Sequence, residues 1–443
     1  MSFKKQFWPV FIFSFLALGG LVAFYFYEKK GSFPSNRPVS HDNEQRYAIE
    51  GDPEYIENQS SDFSHLHKYI EKQWALKDIE LIEALKQIQT QRSGEFKKPV
   101  VAVIDTGIHG GHPCFSGQLW TNKKEIPGNN RDDDSNGFVD DIHGWNFVDN
   151  DDDIQDYHGH GSHISGIIAA KGGKNCKVVG VSPLVEIMTL KYFDPHSKNA
   201  SNVENTVKAI EYAVKMGANI INYSGGGPGD NLDEKSAIAK AADRGIIFVA
   251  ALGNEGSKIG DESSNLGERN KYYPASYELA NIIAVQSHNE SAQKVESSNY
   301  KEIVLPGAKR KQTAPGENIF STLPPKIYLQ GKLKASLTRS LAFSSIRNEN
   351  YGYMTGTSQG TAVTTGVVAL AKFVRPNWPM DKIIQLIDQM EKLSAHGTVT
   401  MRPQNLDYND ENIIDPQNMR SNQKSSVIKT MIEINNSIEK DLK

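Results

Sequence analysis

Four short stretches, far apart in the chain, carry residue types that could do nucleophilic chemistry together. Gly356-Thr357-Ser358 stands ahead of an apolar helical run, Val363 to Val374. That layout puts a hydroxyl at a helix N-terminus, where backbone N–H groups point outward and the dipole favours developing negative charge. Taken alone, it also reads as a serine N-cap. Asp105-Thr106-Gly107 follows Val100 to Ile104, an apolar run of the kind buried on both faces of a parallel sheet. Functional groups gather beyond the carboxyl ends of such strands, although an aspartate there serves equally as a turn or cap. His160 opens a third apolar run, and Asn254 follows a strand-like segment ending at Ala251. A serine hydroxyl is a poor nucleophile near neutral pH. A histidine must take its proton, and an acid must orient that histidine. Asp105, His160 and Ser358 supply those three groups, and Asn254 with the Ser358 N–H supplies donors for an oxyanion.

Two metal readings compete for the polar loops. His160 and His163 form an i, i+3 pair that zinc could use, but no His-Glu-x-x-His helix occurs and a third ligand has no candidate. The stretch Asp132 to Asp141 is better placed for a hard cation. Asp132, Asp134 and Asn136, a glycine at the sixth position, Phe138 through its carbonyl and Asp140 at the ninth match the first part of a calcium loop. His143 stands where an EF-hand would have its bidentate Glu, so a complete EF-hand is not expected. Closely spaced carboxylates repel one another unless a cation neutralises them, and calcium is the expected cofactor.

These residues must be positioned by a common scaffold. Val178 to Val181, Glu186 to Tyr192, Asn219 to Tyr223, Ile246 to Ala251 and Asn281 to Val285 read as further short strands. Helical patterns over Val203 to Met216 and Asp233 to Arg244 intervene. The alternation predicts an α/β fold, a three-layer αβα arrangement around a mostly parallel central sheet. The glycine-rich loop Ser224-Gly225-Gly226-Gly227 lacks the Gly-Lys-Ser/Thr of a phosphate loop and suits an extended peptide lying alongside.

The chain has 443 residues, is 38% hydrophobic and carries a net charge of −4, which gives no nucleic-acid footprint. Phe7 to Tyr27 is uncharged and long enough to cross a hydrocarbon core of about 30 Å. Residues 1–30 are therefore expected to be a signal-anchor, or a signal peptide cleaved near Ala17-Leu18-Gly19. Residues 31–72 read as a linker or short pro-segment, 73–395 as the folded domain and 396–443 as a polar C-terminal extension. A basic insert, Lys326 to Arg347, precedes Ser358. The chain is expected to be exported, either membrane-anchored with its catalytic domain outside the cytoplasm or released into the periplasm or medium. Cys114 and Cys176 are the only cysteines, and both a disulfide and two separate thiols fit them.

The order Asp, His, Ser, together with Val103-Ile104-Asp105-Thr106-Gly107, His160-Gly161-Ser162-His163, Asn222-Tyr223-Ser224-Gly225-Gly226-Gly227-Pro228, Gly253-Asn254-Glu255-Gly256, Tyr273-Pro274-Ala275 and Gly356-Thr357-Ser358, resembles the subtilisin-like serine proteases (subtilases). The resemblance implies a subtilisin-like fold over residues 73 to 390 and a serine endopeptidase acting on polypeptides. It implies Asp105 as orienting acid, His160 as general base, Ser358 as nucleophile and Asn254 in the oxyanion hole, with Ser224 to Gly227 pairing with substrate backbone. The family's usual residues after Gly-Thr-Ser, a Met and then a Pro, are replaced by Gln359-Gly360-Thr361-Ala362. Tyr272 stands where the family often has a small residue near the floor of the primary specificity pocket. It is expected to restrict that pocket to small side chains. Residues 31–72 are short for the family's folding-assistant prodomain. A catalytically weak or inactive subtilase acting as a peptide-binding scaffold is the alternative. A calcium-dependent adhesion protein would explain the acidic loop but not the triad order.

Overall fold

The computed structural model describes residues 63–91, 97–194, 197, 202–260, 270–300, 311–325, 343–348 and 350–393. In chain order the helices are α1 (His67–Ile70), α2 (Trp74–Asp78), α3 (Leu81–Gln91), α4 (His160–Ala169), α5 (Asn202–Lys215), α6 (Leu232–Asp243), α7 (Thr357–Val374) and α8 (Met380–Leu393). The strands are β1 (Val100–Asp105), β2 (Gly144–Asn146), β3 (Lys171–Gly173), β4 (Cys176–Val179), β5 (Glu186–Lys191), β6 (Ile220–Tyr223), β7 (Ile247–Ala251), β8 (Ile282–His288), β9 (Lys311–Pro315), β10 (Ile319–Thr322), β11 (Phe343–Asn348) and β12 (Tyr351–Met354).

Seven strands form one sheet in the order β2-β5-β1-β6-β7-β8-β9, with every pairing parallel. Alternate side chains of the inner strands enter two separate cores. Val101, Val103, Ile187, Ile220, Val249 and Val285 face α1 to α4, α7 and α8. Ala102, Ile104, Met188, Ile221, Phe248 and Ala284 face α5 and α6. Both faces are covered, which is why the strands read as continuous apolar runs rather than alternating ones. The three-layer arrangement expected from the sequence is present.

Several local expectations change. Val178 to Val181 does not join the central sheet. Its residues up to Val179 form β4 of a hairpin with β3, because Gly172 and Gly173, both at positive φ, let the chain fold back on its immediate neighbour. The three-residue β2, the polar β9 and the antiparallel sheet β10-β12-β11 carried no strand signal in the sequence. The helical pattern beginning at Gln73 is split by Glu80, at φ 50, into α2 and α3. The packed unit also starts before Gln73. Leu66 and Ile70, assigned above to the linker, are buried in the first core. The Gln73 side-chain amide caps the end of β4, its Oε1 accepting from Val179 N–H at 2.8 Å and its Nε2 donating to Val179 O at 3.0 Å. Phe7 to Tyr27, the insert residues 326–342 and the tail from residue 394 lie outside the described residues. Among the described residues no helix is long and apolar enough to cross a membrane.

The open question over the cysteines is resolved by a Cys114–Cys176 disulfide with Cα atoms 4.9 Å apart, buried beside Ala170, Val178 and Tyr351. It closes a loop with a sequence separation of 62, which in the chain-entropy model contributes about 4 kcal/mol. Reduction, or Cys114→Ser with Cys176→Ser, is expected to lower Tm by roughly 5–15 °C. An unchanged melting curve under reducing agent would show that the two sulfurs are not bonded.

Candidate active site

β1 ends at Asp105, and β6 and β7 end beside the loops holding Ser224 and Asn254, so the C-terminal edge of the sheet gathers two of the four stretches together with the glycine-rich loop. α4 begins at His160 and α7 at Thr357, with their N-termini brought to the same edge. The approach of α4 is set by Gly161. A Cβ there would lie 2.1 Å from the Gly107 carbonyl oxygen and 3.2 Å from Asp105 Oδ1. Only a glycine lets the first turn of the helix sit against the loop that follows Asp105.

His160 Nδ1 lies 2.8 Å from Asp105 Oδ1 and 3.0 Å from Oδ2. A carboxylate oxygen accepts, so Nδ1 carries the proton and Nε2 keeps its lone pair. Burial pulls the His160 pKa down, but the charge and hydrogen bond of Asp105, aided by Asp156, outweigh this and raise it. Asp105 Oδ1 also accepts from Thr106 N–H at 2.8 Å.

Ser358 is the second residue of α7 and is 9% exposed. Its Oγ donates to the Ser224 carbonyl at 2.9 Å, while Ser224 Oγ donates back to the Ser358 carbonyl at 3.1 Å. Among the described residues Ser358 and His160 share no hydrogen bond. Ser224 is in turn fixed by Asn222, whose Nδ2 donates to Ser224 Oγ at 3.0 Å and whose Oδ1 accepts from Thr365 of α7 at 2.8 Å. Asn254 Oδ1 accepts from Thr357 N–H at 2.8 Å. This contact uses the amide oxygen and leaves the NH₂ as the donor facing away from that N–H. The Ser358 N–H belongs to the first helical turn, which has no intrahelical acceptors. Gln359 fills the place of the family's usual Met, with Nε2 3.7 Å from Met354 Sδ. The first turn of α7 therefore forms without a proline.

The wall Ser224 to Gly227 is pinned at its far end, where Gly227 and Tyr273 exchange N–H···O bonds of 3.0 and 2.8 Å. Gly225 and Gly226 make no backbone hydrogen bond among the described residues. Behind this wall stands a bank of tyrosines. A Cβ on Gly226, at φ 150, would lie 2.5 Å from Tyr272 Cε1, and one on Gly253 would lie 2.7 Å from Tyr272 Cδ2. Tyr272 therefore fills the slot between the Gly226 wall and the Gly253-Asn254 turn. A Cβ on Gly225 would meet the Tyr192 hydroxyl at 2.6 Å.

The histidine pair does not form a metal site. His163 Nε2 is directed at the carbonyls of Ile319 and Gly352, at 3.1 and 3.3 Å, which takes it away from His160. Burial, then the charge of His160, lowers its pKa to about 3.

The acidic loop is assembled differently from the sequence expectation. Glu125, Asp132 and Asp134 bring carboxylate oxygens within 4.8 Å of one another. Asp140 is not in this group; its two oxygens accept from the N–H groups of Asn129 and Asn130, at 3.2 and 2.9 Å. Asn136 turns its amide to Asp141, donating at 2.8 Å, and accepts from Phe138 N–H at 2.8 Å. Phe138 is anchored by its ring among Trp145, Phe147 and Tyr212. Glu125, outside the consecutive motif, was not a sequence candidate. It is 6% exposed, and its Oε1 accepts from Asp133 and Asp134 N–H.

Comparison with known proteins places this arrangement. The family model described as the subtilase family matches residues 97–405. Subtilisin-like protease 1 of Plasmodium berghei (strain Anka) is 29% identical over 339 residues, 74% of this chain and 51% of that protein. The major intracellular serine protease of Bacillus subtilis (strain 168) is 32% identical over 309 residues, 69% of this chain and 79% of that protein. A crystal structure of a cold-adapted subtilisin-like serine proteinase is similar with a TM-score of 0.46 and 22% identity, over 66% of this chain and 81% of that one. The chain thus spans about half the length of the Plasmodium relative and most of the Bacillus one. With that match spanning Asp105, His160, Asn254 and Ser358, the chain belongs to the subtilase family.

Proposed function

We propose that this chain hydrolyses peptide bonds through an acyl-enzyme on Ser358. The observation that carries the reading is the His160–Asp105 pair, with Nδ1–H on the carboxylate and the Nε2 lone pair retained as the base. Ser358 first leaves the Ser224 carbonyl and gives its proton to His160 Nε2 as Oγ attacks the substrate carbonyl. Negative charge then builds on the carbonyl oxygen, where Asn254 Nδ2 and the Ser358 N–H stabilise it. Imidazolium hands its proton to the leaving amine, and water repeats the sequence to release the acid. Loss of one such donor costs about 10²–10³ in kcat, a magnitude established on subtilisin and not obtained from this chain. Gly225 and Gly226, unpaired along their backbone, suit an incoming peptide added as a strand.

One observation favours a second reading, a weak or inactive peptide-binding scaffold. The Ser358 hydroxyl is bonded to Ser224 rather than to His160. Phenylmethylsulfonyl fluoride decides between them. Covalent labelling of the wild type that is absent in Ser358→Ala, together with casein cleavage, supports the hydrolase. A wild type that neither labels nor cleaves supports the scaffold.

Tyr272, packed between Gly226 and Gly253, restricts the residue before the scissile bond to small side chains. Tyr272→Gly is expected to raise kcat/KM for Phe or Leu at that position about 10–200-fold relative to Ala. A wild type already preferring Phe or Leu in a peptide library would end this assignment.

Glu125, Asp132 and Asp134 would hold calcium, whose hard charge suits their carboxylate oxygens and would relieve their mutual repulsion. Chelation is expected to lower Tm, and Asp132→Ala with Asp134→Ala to abolish the difference. An unchanged Tm with chelator would mean that the loop is simply solvated. Export, with Phe7 to Tyr27 as anchor or signal, belongs to the same reading. It is supported by the disulfide, which persists in oxidising compartments.

A further inference from the structure

Asp156 is 0% exposed, yet it lies four residues before His160 in an acid-rich stretch where nothing in the sequence marks it out. Its carboxylate is surrounded by donors from both elements that carry the Asp105–His160 pair. Oδ1 accepts from Thr106 Oγ1 at 2.9 Å, His158 N–H at 2.9 Å and Gly159 N–H at 2.7 Å. Oδ2 accepts from Ser162 N–H at 2.8 Å, in the first turn of α4. Thr106 closes the circuit, because its Oγ1 accepts from Gly161 N–H at 2.9 Å while donating to Asp156. The residue after Asp105 is thus joined to the residue after His160 through its own hydroxyl, and to Ser162 through the buried carboxylate of Asp156.

We propose that Asp156, acting with Thr106, is a positioning residue for the catalytic pair, fixing the end of β1 against the start of α4 so that His160 is presented to Asp105 in one orientation. The inference rests on the hydrolase reading above and deepens it. Geometry is the first part of the role. Rotation or retreat of α4 would move His160 relative to a carboxylate held by β1, and displacements of about 1 Å at a reacting group cost about 10²-fold. Charge is the second part. The ionisable groups facing His160 are Asp105 from β1, Asp156 and His158 from the preceding loop, and His163 from the next helical turn. Burial disfavours the imidazolium, and the negative charges of Asp105 and Asp156 favour it.

A purely structural cap and a positioning residue differ in what they move. Asp156→Asn keeps the shape but turns an NH₂ towards donors that need an acceptor. We expect kcat to fall about 10- to 100-fold with KM little changed. The acid limb of kcat/KM should move to lower pH, since less negative charge stabilises the imidazolium and the base is unprotonated at lower pH. Thr106→Val, which removes the bridging hydroxyl and no charge, should lower kcat without moving the acid limb, and Thr106→Ser should restore it. The measurements are pH profiles from pH 5 to 10 on a chromogenic peptide, with sulfonyl fluoride labelling of each protein. If Asp156→Asn does not fold, the two Thr106 variants decide. Wild-type kcat in Thr106→Val, or a folded Asp156→Asn with an unchanged kcat and acid limb, overturns the inference while leaving the hydrolase reading intact. A wild type that neither labels nor cleaves removes both.

Discussion

A carboxylate and an imidazole held together away from bulk water constrain everything around them. The Asp105 and His160 side chains are 4% and 17% exposed, so neither can rely on solvent for its hydrogen bonds. Such a pair persists only where the protein supplies fixed donors and holds both groups rigidly. The seven-stranded sheet provides the rigidity. Parallel strands buried on both faces leave β1 no room to slide without moving two cores at once. The next strand meets the same constraint again. Lys191, in register with Asp105, is 1% exposed and is paired with Asp194 at 2.8 Å, and its ammonium also donates to Gln155 O at 3.0 Å.

The substrate side follows from glycine placement in the same scaffold. At Gly225, Gly226 and Gly253 the missing side chains are replaced by rings from elsewhere in the chain, chiefly Tyr192 and Tyr272. The wall is therefore thin towards an incoming peptide and thick behind it. Tyr273 and Tyr277, with ring centroids 4.8 Å apart, continue this layer beneath the Gly227 pairing.

How much of this was legible in the sequence depended on the range of the interaction. β1, β5 to β8 and the helices between them announce themselves because burial on two faces forces long apolar runs. β9, with Lys311, Gln312 and Thr313, is held by the neighbouring strand's backbone and needs no such pattern. Asp105 and His160 could be paired from residue order, but the donors that fix the pair could not. Asp156 looks like one more acid in Asp149 to Asp156 until Thr106 is seen beside it. Glu125 lies outside the consecutive loop motif, and only the fold brings its carboxylate back to Asp132 and Asp134. Asp140 has a ligand's position in the sequence, and the sequence does not show that its oxygens also accept from the backbone N–H groups of Asn129 and Asn130. The disulfide joins residues whose proximity exists only once β4 has folded against the short helical turn Pro113–Phe115 that holds Cys114.

The Cys114–Cys176 bond has one more consequence. The covalent ring it closes contains the acidic loop, Asp156 and the whole of α4, while β1 lies before it and α7 well after it. Under the proposed activity, copies of the chain would meet one another as substrates, and Ile126 and Val139 sit exposed just before and within the acidic loop. A single cut inside the ring leaves one cross-linked molecule rather than two fragments. The helix carrying His160 would stay tethered to the sheet carrying Asp105, so damage there remains a nick and does not become dissociation.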